Sequence, residues 1–70
     1  MMENKIKILK CKDVLQITSL STSTMYRMIQ ENRFPAPIKL STHAAGWIES
    51  EVYEWIRSQM DKRGQTNDHT

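Results

Sequence analysis

A helix closed at both ends constrains this chain more than any other feature. Ser21 can cap its start, Met25, Met28 and Ile29 form an apolar stripe at i, i+3 and i+4, and Asn32 and Pro35 forbid its continuation. Asparagine tolerates the left-handed backbone that ends helices. The hydroxyl-rich opening, Ser21-Thr22-Ser23-Thr24, is followed one turn later by Arg27. A short helix of this kind can set its first amides against phosphate and carry an arginine to base edges. The pattern points to DNA.

Upstream, Cys11, Val14, Leu15 and Ile17 recur at helical spacing, and Asp13 falls in the first turn, where the dipole favours an anion. This predicts a first helix over about Lys10–Thr18, weakly capped because neither Lys10 nor Cys11 is a good N-cap. Ile6, Ile8 and Leu9 are expected to enter the core as an extended lead-in. Thr18-Ser19-Leu20 then joins two short helices, the second running to about Glu31, as in a helix-turn-helix.

Downstream, Ala36–Leu40 alternates like a strand, and Gly46-Trp47-Ile48 can return beside it across the loop Ser41–Ala45. Such a hairpin beside a helix-turn-helix is a wing, with Lys39 and His43 available to the sugar-phosphate backbone. A third helix is expected over about Ser50–Met60, with Val52, Trp55, Ile56 and Met60 as its apolar stripe and Glu49, Glu51 and Glu54 keeping its start acidic. The expected fold class is mainly α with a small β-hairpin: a winged helix-turn-helix of three helices and a two-stranded antiparallel wing. Residues 1–5 are expected to fray, 6–60 to form the domain and 61–70 to be a disordered tail.

Size and composition narrow the function. Seventy residues build only a modest core, which disfavours a deep catalytic cleft. Cys11 is the single cysteine, so neither an intrachain disulfide nor a thiolate-rich zinc site can form, and His43 has no partner at metal-ligand spacing. No cofactor or metal is expected. No set of nucleophile, base and orienting group stands out, so the chain does not read as an enzyme. No apolar run is long enough to cross a membrane, and the start lacks the apolar block of a secretion signal. The expected location is the cytoplasm. A net charge of +2 decides little unless the positive groups share a face.

The candidate DNA-contacting residues are Thr22, Ser23, Thr24, Tyr26, Arg27, Gln30, Arg33, Lys39 and His43. Arg27 and Gln30 would read base edges while hydroxyls and backbone amides hold phosphate. Each has a plainer alternative. Arg27 can pair with Glu31 at i+4, Tyr26 can lie half-buried against the hairpin, Lys39 can merely guard a sheet edge, and the Ser and Thr residues are cheap in a first turn. Ser21 reads as a cap, and Trp47 and Trp55 as core between hairpin and last helix.

Leu20-Ser21 with Ser23-Thr24-Met25-Tyr26-Arg27, Arg33-Phe34-Pro35 with Pro37-Ile38-Lys39-Leu40, and Gly46–Val52 with Trp55-Ile56 together resemble the AlpA-type prophage regulators. These are small winged-helix DNA-binding proteins related to excisionase and MerR-like domains. The resemblance covers about Leu9–Ile56 and implies a transcriptional regulator, for example of an integrase gene, or an excision-promoting factor. It places the helix carrying Ser23 and Arg27 in the major groove. Two departures from the family pattern stand out: Ser19 and Asn32 occupy positions where glycine is common, and the wing loop Thr42-His43-Ala44-Ala45, where a basic residue is common, offers only a histidine. Expected partners are double-stranded DNA, a second copy or a cooperative assembly on repeated sites, and a recombinase. The competing reading is a protein-interaction module acting with such a recombinase.

Overall fold

The computed structural model describes residues 5–65. Its elements are strand β1 (Ile8–Leu9), helices α1 (Cys11–Thr18) and α2 (Thr22–Gln30), strands β2 (Ile38–Ser41) and β3 (Ala44–Ile48), and helix α3 (Glu49–Gln65).

The weak start expected for α1 is what the structure has. Lys10 occupies the N-cap position without a side-chain cap bond, and its own N–H donates to Asp13 Oδ2 at 3.2 Å. The helix ends at Ser19, which is left-handed with φ 64° and donates its N–H to the Leu15 carbonyl at 2.7 Å. Thr18 ties the turn together. Its hydroxyl donates to the Val14 carbonyl at 2.8 Å and accepts the Leu20 N–H at 3.2 Å.

Helix α2 is closed as its sequence predicts. The Ser21 hydroxyl accepts the Thr24 N–H at 3.2 Å. At the far end Asn32 turns left-handed with φ 60°, and the N–H groups of Arg33 and Asn32 return to the carbonyls of Met28 and Ile29 at 2.8 and 3.0 Å. That pair of bonds is a Schellman ending, which satisfies carbonyls the helix cannot.

The sheet departs from expectation. It has three strands in the order β1-β3-β2, all antiparallel, where the sequence reading has a two-stranded wing. Ile8 pairs with Ile48 and Leu9 with Trp47, and the Glu49 N–H donates to the Lys7 carbonyl at 2.8 Å. Without this lead-in, one edge of β3 would have unpaired backbone groups beside the core. The hairpin is also tighter than expected. Its strands run in to Ser41 and Ala44, leaving Thr42 and His43 as the turn, with an irregularity between Lys39 and Ser41.

Leu9, Val14, Met25, Phe34, Trp47 and Val52 form the buried core, with Leu15, Ile17, Leu20, Met28, Ile29, Trp55 and Ile56 packed around it. Strand alternation turns Leu9 inward and Ile8 outward, so Ile6 and Ile8 do not enter the core as expected. Trp47 is buried in the core as the sequence places it, whereas Trp55 is half-buried and packs on Phe34 at the core's edge instead of on the hairpin. Trp47 Nε1 donates to the Pro35 carbonyl at 3.0 Å and Trp55 Nε1 to the Arg33 carbonyl at 2.7 Å. Helix α3 continues to Gln65 instead of stopping near Met60, so Met60 outlasts the core and is exposed, and residues 61–65 are helical where a disordered tail was expected. The remainder of that tail and residues 1–4 lie outside the described residues.

Candidate nucleic-acid interface

With Met25 fully buried and Met28 and Ile29 half-buried, the 3.6-residue repeat turns the rest of α2 outward. Ser23, Arg27 and Gln30, at i, i+4 and i+7, form one exposed row, flanked by exposed Thr22 and by Tyr26. Among the described residues no other element covers this row. The amides of Thr22 and Ser23 belong to the helix's first turn, where the intrahelical ladder offers them no acceptor.

Thr24 differs from its neighbours. It is half-buried, its N–H is given to the Ser21 cap, and its hydroxyl accepts from the Ser21 hydroxyl at 2.9 Å. The structure therefore uses Thr24 to close the helix, whereas Thr22 and Ser23 keep their hydroxyls outward.

Arg27 does not take the helical partner open to it. Glu31 Oε1 lies 3.2 Å from Arg33 Nη1, and among the described residues no ion pair holds the Arg27 guanidinium. Arg33 lies beyond the opposite end of α2 from Ser23, with its charge shared with Glu31 and its carbonyl under Trp55. It is exposed but is not gathered with the row on α2.

Tyr26 links helix to wing. Its ring meets Trp47 edge-on, with centroids 6.4 Å apart and planes at 62°, and the residue is still 44% exposed. Both readings of this side chain therefore hold in part: it packs on the hairpin and also presents an open side. Burial raises its hydroxyl above the usual tyrosine range, with Cys11 beside it adding to the shift, so the group is a neutral donor and acceptor at physiological pH. Cys11 enters the interface as backing that the sequence did not reveal, because residues on separate helices share no spacing signal.

On the wing, Lys39 pairs across from Ala45 and so lies on the sheet face that carries Trp47, the side against which Tyr26 packs. It is exposed, as is His43 in the turn. Among the described residues no group of three His, Cys, Asp or Glu side chains could hold a metal ion, and no helix is long and apolar enough to cross a membrane.

Residues 7–60 match the family described as the prophage CP4-57 regulatory protein, AlpA. The chain belongs to the AlpA family of prophage regulators. The matched span holds β1, α1, α2, the hairpin and α3 as far as Met60, so every candidate residue lies inside the AlpA region. Two curated relatives are each 30% identical to it over 57 residues. One is the uncharacterized protein ORF88 of Enterobacteria phage P4, the alignment covering 81% of this chain and 65% of the relative. The other is the DNA-binding transcriptional activator AlpA of Escherichia coli K12, with 73% of this chain and 81% of the relative covered. The family resemblance read from Leu20–Arg27, Arg33–Leu40 and Gly46–Ile56 is thereby borne out.

Proposed function

We propose that this AlpA-family chain is a sequence-specific DNA-binding regulator that seats the exposed side of α2 in the major groove. The observation that carries the reading is the exposed row of Ser23, Arg27 and Gln30 with Arg27 free of Glu31. An arginine at that place can donate two bonds to guanine, and a glutamine one turn on can pair with adenine. Thr22, Ser23 and the first-turn amides hold phosphate on one side, and Lys39 on the wing holds it on the other. The activator named among the relatives supports the same class of function.

A single module of this size buries roughly 600–1,000 Å² on DNA, too little for high specificity alone. The protein therefore acts on repeated sites, in the cytoplasm, where an integrase promoter is the regulated target. The test is selection of bound fragments from the host genome, followed by mobility-shift titration over a range of salt. Clustering at promoters supports transcription control, and clustering at attachment sites assigns the same contacts to excision. Binding that fails to weaken as salt rises would rule out phosphate-driven recognition and favour a protein-interaction module.

A further inference from the structure

We propose that the outer face of the sheet is a homodimer surface, on which a second copy of this chain packs face to face. Strand parity divides the sheet. Leu9 and Trp47 point to the core with Lys39 and Ala45 on their side, whereas Ile8, Ile38, Gly46 and Ile48 point the other way. Leu40 joins the second group, because both its Cδ1 and the Ile8 Cγ2 lie over the Cα of Gly46. Ile6, two residues ahead of Ile8, extends the row. Exposure of Ile6, Ile8, Ile38 and Leu40 is 69%, 38%, 38% and 53%. No charged side chain shares this face of the three strands, and it is the reverse of the face that carries Lys39.

An apolar face without charge does not suit phosphate, so DNA is not its occupant. The four residues leave about 400 Å² of surface open, comparable to the largest apolar patch of a typical monomer, which is often functional. Two copies packed on it would remove roughly 800 Å², short of the roughly 1,000 Å² of a stable specific interface and in the range of weak, transient contacts. That suits a weak symmetric dimer, in which one self-complementary patch serves both partners. Pairing through the open edge of β2 is blocked by Pro37 before it, Lys39 on it and the irregularity between Lys39 and Ser41, all features that protect edges. The choice of a second copy also rests on the DNA reading, since one module contacts too little duplex by itself.

Sedimentation equilibrium of the full chain without DNA tests the surface apart from that reading. Wild type is expected to dimerise between about 10 µM and 1 mM. Leu40→Glu and Ile6→Glu, both at exposed positions, should each raise the dimer dissociation constant at least tenfold with the far-UV circular dichroism spectrum unchanged. Arg27→Ala should dimerise like wild type while losing DNA affinity, so failure of one proposal is visible without the other. A chain that stays monomeric at about 1 mM overturns the dimer, as does dimerisation that neither glutamate weakens.

Discussion

Glu31 holds the guanidinium of Arg33 at 3.2 Å and leaves Arg27, four residues earlier on the same helix, exposed to solvent. Helical spacing sets Glu31 at i+4 from Arg27 as well. The geometry at the end of α2 selects the later arginine, because the left-handed turn at Asn32 folds Arg33 back beside Glu31.

This division of roles gives the first prediction. Arg27→Ala is expected to weaken specific DNA binding by about 1–3 kcal/mol without lowering the melting temperature. Arg33→Ala should cost less, since the charge it removes is already shared with Glu31. Mobility-shift titration on a selected site checks both, and equal losses for the two variants would remove Arg27 from the reading surface.

Lys39 has a different signature. A lysine that neutralises one phosphate contributes nearly one counterion to the salt dependence of binding, whatever the sequence bound. Lys39→Ala should therefore lower the slope of log affinity against log salt by about 0.9. An unchanged slope would make Lys39 an edge guard only.

The two left-handed residues should respond unequally to glycine. A left-handed backbone costs an ordinary residue about 1–2 kcal/mol, of which glycine's extra unfolded-state freedom takes back roughly half. Ser19→Gly is then expected to raise stability by about 0.5–1 kcal/mol, and Asn32→Gly to change it little, because asparagine already tolerates that conformation. Urea unfolding of both variants decides the matter.

Much of this fold was legible because its signals are local. Ser21, Asn32 and Pro35 bound α2 on their own, and the spacing of Met25, Met28 and Ile29 fixes which side faces water. What escaped was non-local or unmarked. A two-residue strand has no period to read, and β1 exists only because Trp47 and Ile48, far along the chain, need backbone partners. Thr42-His43 carries none of the Asn-Gly or Asp-Gly chemistry that would have located the turn. Asp61, Lys62 and Arg63 are compatible with a helix and no proline follows Met60, so α3 had no strong stop there. In the interface, the helical repeat shows which α2 side chains face out, but not which arginine Glu31 holds or that Cys11 backs Tyr26.

Tyr26 makes an alkaline prediction. Its hydroxyl is raised above 10.0, chiefly by burial and secondarily by Cys11, so the fold favours the protonated form. That contribution is complete below the unfolded value near pH 10 and is lost as pH climbs through the higher folded value. Tyr26→Phe should flatten the fall in stability above pH 10 relative to wild type. Parallel alkaline denaturation profiles for the two proteins would show that Tyr26 ionises as freely as in the unfolded chain.

Gly46 tests how tightly the outer face of the sheet is built. A Cβ at this position would collide with the Ile8 Cγ2 and stand 3.1 Å from the Leu9 carbonyl oxygen. The Gly46 backbone is not left-handed, so any penalty for alanine comes from the collision and not from conformation. Gly46→Ala is expected to cost about 1–3 kcal/mol, as overpacking does. Because the closest obstacle is a side chain, Ile8→Ala in the same chain should restore most of the loss, and the double-mutant cycle isolates that coupling. The remainder measures the Leu9 carbonyl, which belongs to the paired backbone of β1 and cannot move aside so cheaply. Additive losses in the cycle would mean that Ile8 swings clear by itself and that the backbone alone sets the limit at Gly46.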